Sequence, residues 1–145
     1  MMKQSDPPIV VEKPLAATRV SVWQALTQLD QMHQWYFENL PDFKPEPGFK
    51  VRFPVRSETR TFTHRWTVME VMEFKHIKVR WQYDEYPGDS TVTFSLVERN
   101  EHTHITVTCE ILADFPEAIP EFERESCIGG WEYFLGRLQN YLSSI

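Results

Sequence analysis

Five histidines and two cysteines are the side chains of this 145-residue chain best suited to metal binding or nucleophilic chemistry, so their placement comes first. His102 and His104 stand two apart, the spacing that puts two side chains on one face of a strand. Ile105 and Val107 claim the opposite, apolar face. The pair is therefore expected to point to water, with no third ligand in reach and no metal site. Cys109 and Cys127 are too few for a disulfide scaffold and lack metal-ligand spacing. Cys127 lies one helical turn before Trp131, beside an apolar stripe. A nucleophilic cysteine needs a base and a lowered pKa, and with no partner identifiable along the chain, inert packing is expected. His64 alternates with Phe62 and Trp66, so it should face inward, as a hydrogen-bonded core residue or as a ligand contact. Asp84 and Glu85 sit at a hairpin end and are expected to face solvent. Glu117, Glu121, Glu123 and Glu125 crowd the start of a predicted long helix, where negative charge suits the helix dipole. No G-x-S-x-G, phosphate-cradling glycine loop, H-E-x-x-H or C-x-x-C occurs.

The elements that must position these residues follow from periodicity. Residues 1–8 are polar, end in Pro7-Pro8, and read as a disordered leader. Residues 9–15 read as a strand that Pro14 places at a sheet edge or bulge. Thr18 can cap a helix bearing Val22, Trp23, Leu26 and Leu29, and a second short helix carries Met32, Trp35 and Tyr36. Residues 37–48 form an aromatic, proline-rich loop. The period then changes to two in 49–55, 61–68, 76–83, 91–96 and 104–111, with a bulge expected near 70–72 and a type II turn at Tyr86-Pro87-Gly88-Asp89. These strands, apolar on one face, predict an antiparallel meander. From about Ile119 to Ser144 the helical period returns, with Ile128, Trp131, Leu135, Leu138 and Leu142 on one stripe. The predicted fold class is α+β: a curved antiparallel sheet of about six or seven strands around a long C-terminal helix, with two short helices after the first strand.

Composition bounds the function. The chain carries 15 Lys and Arg against 21 Asp and Glu, a net charge of −6, which disfavours nucleic acid and anionic membrane as partners. No apolar run approaches the roughly 20 residues needed to span a bilayer. The N-terminus lacks the apolar core of a signal peptide, so a reduced, cytoplasmic setting is expected. Aromatic content is 14%, including five Trp.

Large rings on the inward faces do not tile tightly, and a helix over a curved sheet tends to leave a cavity. Three of the five glycines, Gly129, Gly130 and Gly136, fall inside the predicted long helix, where each costs about 1 kcal/mol relative to Ala. Either the helix backbone approaches the sheet closely there, or its shape opens a cavity.

The run AATRVSVWQALTQLDQMHQWY is similar to the start of START-like helix-grip proteins (the SRPBCC superfamily, Bet v 1-like) related to the activator of the heat-shock-protein-90 ATPase. The likeness continues through Pro47-Gly48-Phe49, Val79-Arg80-Trp81, the run 90–94, Gly130-Trp131 and FLGRLQNYL, covering about residues 9–142. It implies one START-like domain over 9–145, with no shared catalytic residues to carry over and no cofactor. The function expected first is binding of a small, largely apolar molecule, still unidentified, between sheet and helix. The candidate contacts are Trp35, His64, Trp66, Trp81, Tyr83 and Phe94, together with Val107, Cys109, Cys127, Trp131, Phe134 and Leu135. His64 or Tyr83 is the polar anchor, and the loops 36–48 and 112–119 gate the cavity. A protein-interaction module with a chaperone partner is the alternative. A cyclase- or dehydratase-type enzyme is the second, requiring convergent polar groups inside. The chain is expected as a monomer or homodimer.

Overall fold

A computed structural model describes residues 2–145. Six strands, β1 (Ile9–Leu15), β2 (Lys50–Arg56), β3 (Thr61–Met72), β4 (His76–Tyr83), β5 (Asp89–Arg99) and β6 (His102–Ala113), form one antiparallel sheet in the order β1-β6-β5-β4-β3-β2. The two prolines within strands, Pro14 and Pro54, lie on the edge strands β1 and β2, where a missing N–H breaks no central ladder. Register shifts at Val68/Glu70 and Asp89/Ser90 bend the sheet, the first beside the expected bulge. The odd-even alternation read from the sequence is the burial pattern of β3 to β6 except at Thr91 on β5, which is buried as well: Phe62, His64, Trp66 and Val68 on β3, then Ile77, Val79 and Trp81 on β4, all face the core.

Three helices complete the fold: α1 (Arg19–Thr27), α2 (Leu29–Trp35) and α3 (Arg124–Ser143). The Thr18 hydroxyl caps α1 by accepting from the Ser21 N–H. Gln28 is extended and separates the first two helices, so Leu29 opens α2 rather than closing α1. Tyr36 lies just beyond α2 as its C-cap. The Arg137 guanidinium on α3 donates to the carbonyls of Gln34 (3.1 Å) and Tyr36 (3.4 Å), tying the end of α2 to α3.

The long helix is shorter than the sequence predicts. Ile119 is extended, Pro120–Phe122 is a 3₁₀ turn and Glu123 is extended again, so α3 starts at Arg124 and spans about 30 Å. Of the four glutamates expected in its first turn, only Glu125 lies there. Trp131, Leu135, Leu138 and Leu142 bury its inner stripe.

Of the segment 1–8 read as a leader, residue 1 lies outside the described residues, and residues 2–8 make contacts with the body of the protein. Met2 is 7% exposed and its carbonyl accepts from the Phe115 N–H (3.0 Å). The Arg124 guanidinium donates to the carbonyls of Pro7 (2.8 Å) and Pro8 (3.2 Å). Polar composition hides this because the anchors are one methionine and backbone carbonyls.

Two turns carry information. Gly88 has φ of +121°, and a Cβ there would stand 2.5 Å from the Phe115 ring. Only glycine lets that ring pass. At the β3–β4 turn Phe74 adopts φ of +66°, unusual for an aromatic residue, and its ring meets Trp23 edge-on at 6.2 Å.

Candidate functional site

Between the concave sheet and α3 the rings leave a cavity of about 400 Å³. Sheet residues His64, Trp81, Tyr83, Val92 and Cys109 form one wall, and Cys127, Gly130, Trp131 and Phe134 of α3 form the other. Phe37 and Phe115, from the two expected gate loops, border it, as does Met2. Trp35, Trp66 and Phe94, expected in the same cavity, surround a separate void of about 10 Å³, room for a single water. Val107 and Leu135 line neither space; both are fully buried in the packed core. Period two gives the face a side chain points to, not its depth under the helix. Val107 and Cys109 share a face, yet only the second reaches open volume.

The small void has polar neighbours. The Trp66 indole N–H and the Tyr36 hydroxyl are buried without hydrogen-bond partners, and both residues border it. Burial pushes the Tyr36 hydroxyl well above its ordinary pKa. Tyr36 stacks on Trp35 at 4.6 Å and meets Phe134 edge-on at 5.0 Å, so it holds α2 against α3.

His64 is the polar centre of the large cavity. Phe53 stacks on it at 5.2 Å, and Tyr83 meets it edge-on at 4.9 Å. Its Nδ1 lies 3.0 Å from the Phe62 carbonyl, which assigns the proton to Nδ1. Nε2 is then an acceptor, and it has no hydrogen-bond partner among the described residues. Desolvation lowers the His64 pKa from 6.5 to about 4, against the smaller opposing effects of the Phe62 carbonyl and the Glu85 charge. The ring is therefore neutral at physiological pH.

The remaining polar groups are engaged. The Tyr83 hydroxyl accepts from the Trp81 indole N–H (2.9 Å), and burial holds its pKa far above the usual range. Ser90 donates to the Trp81 carbonyl (2.9 Å). Glu121 borders the cavity and pairs with Arg60 at 3.3 Å. Asp84 and Glu85 are exposed, as expected, and they also hold the β4–β5 loop. Glu85 accepts from the Thr63 N–H (2.7 Å), while Asp84 pairs with Arg52 and lies 3.7 Å from Arg65. His102 and His104 lie outside the cavity. His104 Nε2 is 3.7 Å from the Glu12 carboxylate, and the His102 ring lies 3.2 Å from the Asn100 carbonyl. Sequence reasoning missed Met2, Ser90 and Glu121, and among the apolar lining Val55, Val92 and Ile111. Ser90 was legible, since it continues the inward alternation of Val92 and Phe94; Met2 and Glu121 leave no periodic signal.

The helix glycines now have a geometry. Apart from the adjoining residues and the helix's own backbone, no atom lies within 4 Å of a Cβ built at Gly129, Gly130 or Gly136, so close approach to the sheet is not their reason. Gly130 borders the cavity, and its missing side chain is open volume.

The family model for activator of Hsp90 ATPase homolog 1-like protein matches residues 16–143. The chain belongs to that family. Among solved structures, DynU16, from the dynemicin biosynthetic locus, superposes with TM-score 0.76 at 24% identity, covering 95% of this chain and 48% of that one. This chain thus spans about half of DynU16. MLL2253 from Mesorhizobium loti matches at 25% identity and TM-score 0.72, covering 95% and 98%. The Aha1 dimer of Colwellia psychrerythraea matches at 19% identity and TM-score 0.71, covering 94% and 96%. No curated protein matches the chain. The family's helix-grip fold, a sheet curved around one long helix, is the fold of this member. No helix among the described residues is long and apolar enough to cross a membrane.

Proposed function

We propose that this family member binds a small, largely apolar molecule bearing one hydrogen-bond donor, held between the sheet and α3 with the donor on His64 Nε2. The observation that carries this reading is the unfilled cavity of about 400 Å³ with a neutral imidazole on its wall whose Nε2 has no hydrogen-bond partner among the described residues. That volume lies within the roughly 300–1,000 Å³ usual for ligand sites. Apolar surface supplies the driving force, and one acceptor sets the orientation. The enzymatic alternative is less well supported, because Tyr83, Ser90 and Glu121 are committed to other partners and none forms a hydrogen bond with His64.

The test uses N-phenyl-1-naphthylamine, an apolar dye with one N–H donor. Saturable binding with quenched Trp emission is expected, because Trp81 and Trp131 line the cavity. Gly130→Leu should abolish binding by filling the cavity. It should keep or raise the melting temperature, since leucine is favoured over glycine within a helix by about 1 kcal/mol and nothing obstructs its Cβ. Dye binding unchanged in Gly130→Leu, or absent from the wild type, would overturn the reading in favour of an interaction module.

A further inference from the structure

Two hydrogen-bond donors are stranded beside the small void. The Trp66 indole N–H and the Tyr36 hydroxyl are buried, and neither has a hydrogen-bond partner among the described residues. Unpaired buried groups cost free energy, and native interiors satisfy nearly all of them. An indole N–H can only donate, so what Trp66 lacks is an acceptor. The void of about 10 Å³ that both residues border has room for one water-sized group. None of the described residues lining it is charged, so nothing there would balance a carboxylate. The group that fits is an uncharged oxygen. A carbonyl oxygen has two lone pairs and can accept from both donors.

Tyr36 is the partition between this void and the large cavity. Its ring meets Trp35 at 4.6 Å, Trp66 at 5.6 Å and Phe94 at 6.4 Å, all of which line the void. The same ring meets Phe37 at 4.5 Å, Phe134 at 5.0 Å and Trp131 at 6.1 Å, all of which line the cavity. Trp81 and Val92 line both spaces. The void is thus a side chamber of the cavity, behind one layer of side chains. Strand β3 sets the spacing of the polar groups. His64 and Trp66 stand two residues apart on its inner face, about 7 Å along the strand, with ring centroids 6.4 Å apart. A molecule seated on His64 has the stranded donors within its own length.

We propose that the Trp66 N–H and the Tyr36 hydroxyl form an acceptor subsite for the ligand's carbonyl oxygen, so that the molecule bound is an uncharged hydroxy ketone with its two oxygens about 7 Å apart. The inference rests on the cavity being the ligand site with His64 as its anchor. The ligand hydroxyl donates to His64 Nε2, and its carbonyl accepts from Trp66 and Tyr36. A water in the void of the free protein is then replaced by a group that reproduces its hydrogen bonds.

The probes are 4-hydroxyphenylacetone and 4-isobutylphenol. They share the phenol donor and their size, and differ by an oxygen in place of a methyl group. Each is titrated against bound N-phenyl-1-naphthylamine in the wild type and in Tyr36→Phe, which removes one hydroxyl and keeps the ring. The ketone-to-hydrocarbon affinity ratio should be about tenfold higher in the wild type, the scale of one hydrogen bond from a buried donor. In a proton–nitrogen correlation spectrum of the wild type, the Trp66 indole N–H should move downfield with the ketone and not with the hydrocarbon. That signal, assigned through its own ring protons, decides the matter even if the variant fails to fold. Equal ratios in the two proteins, or a Trp66 signal that responds alike to both compounds, would overturn the proposal and leave the void to a water. Dye displacement by both phenols with equal ratios defeats the acceptor subsite alone; displacement by neither defeats the cavity reading as well.

Discussion

Trp131→Ala is expected to destabilise the protein by about 3–5 kcal/mol, the range for removing a large ring from a packed site. Trp131 is 6% exposed and makes edge-on contacts with Phe94 at 5.6 Å and Trp81 at 5.7 Å. It is the point where α3 presses on the centre of the sheet. Removing it deletes those ring contacts and also opens one wall of the cavity. Urea titration monitored by far-UV circular dichroism should show an earlier midpoint with an unchanged slope, because the same surface unfolds. A loss below about 1 kcal/mol would contradict the placement of the helix stripe.

Acid should unfold the protein in a window set by His64. The unfolded chain binds this proton near pH 6.5 and the folded chain only near 4. The contribution of the neutral ring is therefore complete above pH 6.5 and is lost as pH falls from 6.5 toward 4. Linkage over that interval amounts to roughly 3 kcal/mol. Glu85 and Glu121, both held below the usual carboxylate value, lose their contributions lower, from about pH 4.5 downward. His64→Leu should flatten stability between pH 4.5 and 6.5 while leaving the steeper loss at lower pH. Parallel stability–pH curves for wild type and variant would contradict a buried, neutral His64.

The fold was legible because its strands bury one face each, and alternation of two reports that face directly. Trp66 and Trp81, predicted inward, are cross-strand partners at 4.9 Å. The cavity was less legible. Its existence follows from ring size and helix cover, but which rings border it depends on depth along strands and helix, which periodicity does not encode. Trp66 and Phe94 thus fall on the small void and Val107 and Leu135 in the packed core, while Cys109 and Cys127 face open volume. The start of α3 was misread for a related reason. Glu121 and Glu123 suit a helix N-terminus by charge, yet Glu121 lies in a 3₁₀ turn and pairs with Arg60, while Glu123 is extended. Met2 shows the limit in another form, since one apolar residue in a polar segment has no period to read.

The most direct test of the ligand site is a crystal structure with 4-bromophenol, whose bromine can be located by anomalous scattering. The predicted result is one strong bromine peak between β6 and α3, near Cys109 and Phe134, with the phenol hydroxyl donating to His64 Nε2. A cavity closed by the Phe37, Phe115 and Phe134 rings, with bromine absent from the interior, would contradict it.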